Sequence, residues 1–532
     1  MHEFTGGSSA MAPSTSSTPF LPAAPDDDEL YWYFGPQRRW VLLCSSLSFI
    51  FTAITLFFFS LRTPVLWVFF AVLALNLVGL AFALADGQKQ RRLTRAGHEV
   101  LIRAWQPERA PSVDVYLPTC GEPLDVLRNA YDHVARVRWR GTLAVYVLDD
   151  AASSQVAALA REYGFRYVVR PDRGRLKKAG NLNHALTVSD GEVVAILDAD
   201  FCPRPDFLDH LVPYLADPEI GIVQSPQFFD TDETMSWLQR AAGAAQEWFF
   251  RWVQPSRDAA DAAICCGSNA VYRRTALDAI GGFAKLDHSE DMYTGLEMLG
   301  QGYRTQYVPV LVAKGLSPES LPAYVNQQYR WAMGNLHLLT GRDLKRVGAA
   351  WRTRVCYYNG VLGYVVMAVN VFAAPLPPLI MLAGHPEQIR PWHVLPLLAP
   401  LWVWFVLLPA VSRSRWRIEV IRANYLVAFA ACAALVHTLR GRGADWVPTG
   451  SGGGRSKLAR GIARLAVCWL GATTGAAVVA LAAGVARYGP ARFWGVAVYV
   501  AVTVYLTVPL IKDLIPALGF RRPVAPVLKE SK

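Results

Sequence analysis

Long apolar runs on both sides of a mixed, charged stretch constrain this chain more than any other feature. Residues 40–61 and 65–85 are each about 21 residues of apolar-dominated sequence, enough for a helix to cross a bilayer core of roughly 30 Å. Only Arg62-Thr63-Pro64 separates them, which requires a tight hairpin. Further apolar runs cover residues 356–384, 392–411, 463–485 and 493–511. Pro375, Pro377 and Pro378 should kink or interrupt the first of these, because proline lacks the N–H that a helix interior needs. Residues 416–439 are moderately apolar and open near Arg415, Arg417 and Arg422, which predicts an amphipathic helix at the cytoplasmic interface. A full span is the alternative there, and it would place the C-terminus outside.

Charge sets the expected orientation. The chain is 53% hydrophobic and 18% charged, as suits a membrane protein carrying a sizeable water-facing domain. Its net charge of +11 gathers beside the apolar runs, at Arg38-Arg39, residues 89–92 and 413–417, and Arg521-Arg522. Basic residues there face the cytoplasm and anionic lipid. A multi-pass protein of the plasma membrane follows, with membrane lipid and not nucleic acid as the partner of these charges. The water-facing domain and both termini are expected on the cytoplasmic side. Eight scattered cysteines without a Cys-x-x-Cys pair agree with a reduced compartment. Residues 1–30 have no basic start followed by an apolar core, so no signal peptide is expected. The predicted organisation is a disordered tail (1–35), two spans (36–86), a water-facing domain (87–350), two spans (351–412), an interface helix (413–440), a Gly/Ser-rich loop (441–456), two spans (457–512) and a cytoplasmic tail (513–532).

Within residues 87–350 apolar runs alternate with helical patterns. Strands are predicted at 113–118, 143–148, 166–169 and 193–197, and helices near 124–136 and 183–188. Such alternation gives a parallel, doubly wound sheet, whose ligands bind at the C-terminal strand ends. Thr119, Asp149 and Asp198 all lie there. Asp198 and Asp200, two apart, would share one face of a strand end and could hold a hard cation, Mg²⁺ or Mn²⁺, against a nucleotide diphosphate.

The ordered set Asp149-Asp150, Lys178-Ala179-Gly180-Asn181, Asp198-Ala199-Asp200, Cys266-Gly267-Ser268, Glu290-Asp291 and Gln327-Gln328-Tyr329-Arg330-Trp331 resembles the processive family-2 glycosyltransferases, above all bacterial cellulose synthase catalytic subunits. The resemblance implies an α/β, GT-A-like cytoplasmic domain with a mostly parallel sheet. That domain would be inserted between transmembrane helices, two before it and about four after. It implies a membrane-embedded, inverting enzyme that polymerises a UDP-sugar, glucose by preference, into a β-linked glycan and passes it across the membrane. Transfer of one sugar to a lipid carrier, or synthesis of another β-glycan, is the alternative.

By the same resemblance Thr119, Asp149, Lys178, Asp198, Gln327 and Arg330 would hold the donor. Asp198 and Asp200 would hold the metal, Asp291 would act as general base, and Cys266 and Trp331 would meet the acceptor. A gating loop would contain Trp446 and Thr449, although Ser451 stands where the family has Lys, and Ala151-Ala152 replaces the usual Gly-Gly. The implied partners are a nucleotide-sugar donor, the growing polysaccharide and cell-envelope accessory proteins. A cyclic-di-GMP-binding barrel is not expected in this chain.

Overall fold

The computed structural model describes residues 20–34, 38–87, 93–412, 418–441 and 456–518. Its centre is a seven-stranded sheet built from β1 (Val113–Thr119), β2 (Leu143–Asp149), β3 (Arg166–Val168), β4 (Val193–Ile196), β6 (Ile220–Gln224), β8 (Ala270–Arg273) and β9 (Arg304–Tyr307). A small second sheet joins β5 (Cys202–Pro203), β7 (Phe228–Asp230) and β10 (Ala313–Leu316). The large sheet runs in the order β3-β2-β1-β4-β8-β6-β9, and only β8 is antiparallel to its neighbours. Strands of a parallel sheet are covered on both faces, so they read as continuous apolar runs. Every residue of β4 is buried, as are all but Pro118 of β1. β1 pairs with β2 on one side and β4 on the other, and the chain order reverses there. That junction is the switch point where such sheets leave a crevice.

The predicted strands and the mostly parallel sheet are present. One local expectation is corrected: Asp198 and Asp200 are not on a strand. β4 stops at Ile196, and the two aspartates lie in a turn in which the Phe201 N–H donates to the Asp198 carbonyl at 3.0 Å.

Seven helical stretches among the described residues are long and apolar enough to cross a membrane. Two precede the sheet, Trp40–Leu61 and Phe69–Gly87, and five follow it. The expected proline interruption is present, because one helix ends at Ala373 and the next begins at Leu376. Glu419–Leu439 is a single helix in which residues 426–431 are all buried. Six buried residues in succession cover every side of a helix, so this one is enclosed by protein instead of showing a single apolar stripe. It packs on the Leu321–His337 and Trp351–Ala373 helices.

The tail expected to be disordered is ordered from residue 20 to residue 34. Arg204 donates to the Pro25 carbonyl at 2.9 Å and pairs with Asp27 at 2.7 Å. Lys314 pairs with Glu29, and the Leu311 N–H donates to the Leu30 carbonyl at 2.9 Å. Tyr33 is completely buried, with the Arg251 guanidinium 4.9 Å over its ring. Arg251 also donates to Glu247 at 2.6 Å and to the Trp32 carbonyl at 2.5 Å. Five anchored residues and a buried ring hold residues 20–34 in place. Glu247 and Arg251 are both buried, so Glu247→Ala strands a guanidinium away from water. The expected cost is about 3–5 kcal/mol, seen as a lowered Tm of the detergent-solubilised protein.

Candidate active site

The site is built where β1, β2 and β4 end. Thr119 closes β1 opposite Asp149 of β2. The Thr119 hydroxyl donates to the Glu122 carboxylate, which also accepts the Cys120 N–H at 2.6 Å. Asp149 itself departs from expectation. It is fully buried and is not among the residues that line the cavity described below. One carboxylate oxygen accepts the Ala151 N–H at 2.8 Å; the other accepts the Ser153 N–H at 2.7 Å and the Tyr167 hydroxyl at 2.9 Å. A carboxylate so engaged shapes the 150–153 loop. Its neighbour Asp150 is the one that lines the cavity.

Lys178 lies in the first turn of the Lys177–Leu186 helix. Its ammonium pairs with Asp198 and donates to the Gly267 carbonyl at 2.8 Å. Burial alone would lower its pKa, but Asp198, Glu290 and Asp291 together raise it, so it stays charged. The Asp198 N–H donates to Ser268 Oγ at 2.9 Å, and Asp200 accepts the Leu316 N–H at 3.0 Å. Burial, and then the charge of Asp198, push Asp200 up to about 7. Two carboxylates crowded into low dielectric are stabilised by a cation between them. Among the described residues no group of three His, Cys, Asp or Glu forms a ready metal cage. A pair of carboxylates fits a cation that completes its shell with substrate phosphates and water, as Mg²⁺ does.

Asp291 lies in the first turn of the Glu290–Gly300 helix, which follows Ser289 at a left-handed φ of 57°. Gly267, at φ +76°, lets Asp291 and Lys178 close over one backbone position. A Cβ there would sit 2.9 Å from Asp291 Oδ2 and 3.3 Å from Lys178 Nζ. The turn carrying Gly267 is held by Gln224, a buried residue at the end of β6 that no sequence motif announces. Its amide oxygen accepts the Cys266 N–H at 2.7 Å, and its amide nitrogen donates to the Ser268 carbonyl at 2.8 Å. Burial, with Glu290 beside it, raises the Asp291 carboxyl well above the ordinary carboxylate range.

Gln327, Arg330 and Trp331 share one face of the Leu321–His337 helix, as their i, i+3, i+4 spacing requires. Burial lowers the Arg330 guanidinium to about 10, so it is still a cation at neutral pH. Together with Thr119, Lys178 and Asp198 these residues line one cavity of about 1390 Å³. Asp200, Cys266 and Asp291 line it as well. The same cavity continues between the apolar helices, past Ser45, Ser48 and Thr52 on one and Asn359 and Tyr364 on another, to Trp404. Trp446 and Thr449 fall outside the described residues.

Residues 193–413 match the family described as glycosyl transferase family group 2. The match includes Asp198, Asp200, Asp291 and the Gln327–Trp331 face. The chain carries a glycosyl transferase family 2 domain. Over 283 residues this domain and its surroundings are 38% identical to a cellulose synthase catalytic subunit (UDP-forming) of Pseudomonas fluorescens. That alignment takes in 52% of this chain and 38% of the relative. A counterpart from Xanthomonas axonopodis pv. citri is 36% identical over 265 residues, 48% of this chain and 36% of that one. The chain thus spans well under half the length of these relatives. Among solved structures, a mannosyltransferase of Pyrobaculum calidifontis in complex with GDP-Man and Mn²⁺ aligns at 20% identity and a TM-score of 0.46. That alignment covers 69% of this chain and all of the other. The sheet that carries this site is mostly parallel, as expected, with helices apolar enough to span a membrane on both sides of it in the chain.

Proposed function

We propose that this protein is a membrane-embedded, inverting and processive glycosyltransferase. It takes a sugar from a UDP-sugar, UDP-glucose in the first instance, and adds it to a β-linked polysaccharide such as β-1,4-glucan that leaves through its membrane helices. The observation that carries this reading is the continuity of the cavity. One space contains the carboxylates and cations of the family 2 domain and extends between the apolar helices. The basic clusters beside those helices support a cytoplasmic family 2 domain.

The residues divide the chemistry. Thr119 and Asp150 line the donor end of the cavity, and Arg330 and Lys178 offer positive charge to the diphosphate. A divalent cation, Mg²⁺ or Mn²⁺, held by Asp198 and Asp200 would neutralise charge building on the departing UDP. Trp331 offers a flat ring to the face of the acceptor sugar, beside Cys266. Asp291 takes the proton from the acceptor hydroxyl as that oxygen attacks the anomeric carbon. Attack from the face opposite UDP turns an α-linked donor into a β-linked product, with no covalent enzyme intermediate.

Two measurements test the assignment. Purified protein in lipid nanodiscs, offered a panel of UDP- and GDP-sugars, should release UDP from at least one UDP-sugar; release from none refutes the proposal. The pH profile of kcat tests the base. Asp291 must be ionised to accept a proton, and its pKa is raised, so activity should be full on the alkaline side and fall with falling pH. The fall should begin well above the pH at which an ordinary carboxylate titrates, roughly 4.

A further inference from the structure

We infer that Arg170 is a positioning residue for the donor diphosphate, acting through Lys178 and Asp150 without touching substrate; the inference rests on the glycosyl-transfer reading above. Arg170 is 1% exposed and does not line the cavity. Its Nε and Nη2 donate to the two carboxylate oxygens of Asp150 at 2.7 and 2.8 Å, a bidentate pair that aligns the one acidic side chain of this loop facing the cavity. The same guanidinium donates to two carbonyls further along, Arg175 through Nη1 and Lys177 through Nη2, the latter at 3.1 Å. One planar group therefore ties the end of β2 to the turn that opens the Lys177–Leu186 helix.

That turn is strained. Leu176 and Lys177 take φ values of +53° and +47°, a left-handed conformation that side chains disfavour. The two carbonyls that Arg170 holds flank the kink, and the next residue is Lys178. The kink sets the direction in which Lys178 leaves the helix, toward Asp198 and the Gly267 carbonyl. Gly180 is part of the same device. A Cβ there would stand 2.1 Å from Arg170 Nη1 and 2.2 Å from the Arg175 carbonyl oxygen. The glycine of the Lys178-Ala179-Gly180-Asn181 motif thus leaves room for a buried guanidinium, a role separate from any contact with phosphate. Lysine at position 170 keeps the charge opposite Asp150 but is a point donor that cannot span a carboxylate and two carbonyls.

The test uses the full chain in nanodiscs, with UDP release for turnover and calorimetric binding of UDP in the presence of Mn²⁺ for site occupancy. Arg170→Lys is expected to lower kcat on the order of 10²-fold, the scale of a misplacement of about 1 Å, while UDP stoichiometry per chain stays at the wild-type level. Gly180→Ala should do the same, and the double variant should be no worse than the weaker single, because both changes remove one brace. A purely structural role would lower stoichiometry and turnover in step, and that result overturns the inference. Wild-type kcat in Arg170→Lys, or additive losses in the double variant, also overturns it. If Gly180→Ala does not fold, kcat and stoichiometry of Arg170→Lys decide alone. A wild-type protein that neither binds UDP nor releases it refutes the functional reading itself, a different outcome from a working enzyme indifferent to position 170.

Discussion

Asp291→Asn is expected to lower UDP release by about 10²–10⁴-fold, the range over which a positioned general base contributes, with UDP binding retained. Asparagine keeps the shape of the side chain, and its amide oxygen can still accept the Met292 N–H that Asp291 accepts at 2.7 Å. The neighbours argue that the loss is chemical. Gly267 lies against the Asp291 side chain, and Lys178 keeps its pairing with Asp198 and its bond to the Gly267 carbonyl when the Asp291 charge is removed. Turnover should therefore collapse while occupancy of the nucleotide site does not. Parallel loss of UDP affinity and turnover would instead make Asp291 part of the donor site.

Asp200→Asn should separate function from stability. Asp200 sits in a buried turn where burial and Asp198 disfavour its charge. A carboxylate whose folded pKa is raised costs stability at every pH above its unfolded value, so removing the charge relieves that cost. The amide oxygen can still accept the Leu316 N–H. In chelator the variant should melt no lower than wild type, and higher at neutral pH than at pH 4 relative to wild type. In Mn²⁺ or Mg²⁺ its turnover should fall by about 10³-fold, in keeping with the several kcal/mol that a catalytic cation supplies to transition-state charge. A variant that melts lower and keeps its turnover would remove Asp200 from the cation site and make it an ordinary turn residue.

Much of this architecture is legible in the sequence because it follows from continuous apolar text. β1, β2 and β4 fall within a residue or two of their predicted bounds, since strands covered on both faces carry no alternation that could mislead. The break before Leu376 is read directly from three prolines. The cavity-lining set was within reach only through the family resemblance, whose ordered motifs contain Asp198, Asp291 and the Gln327–Trp331 face.

Other features depend on contacts that spacing does not encode. Which of Asp149 and Asp150 faces the cavity is decided by Ala152 at φ 56° and by Tyr167, eighteen residues on, which claims the first carboxylate. Arg170 looks like one basic residue among several until its burial is seen. In the Glu419–Leu439 helix residues 426–431 are buried against neighbouring helices, packing that composition does not encode because Ala, Leu and Phe suit lipid and protein alike. Residues 20–34 are ordered by partners almost two hundred residues away or more, as in the Asp27–Arg204 and Glu29–Lys314 pairs.

The central claim is that one cavity joins sugar transfer to an exit between membrane helices, so the most direct measurement is the length of the product. Wild-type protein in nanodiscs, supplied with the UDP-sugar it turns over and with Mn²⁺, should yield a β-linked polymer of many units while most acceptor chains remain unextended. A product of a single sugar on a lipid carrier would contradict the account.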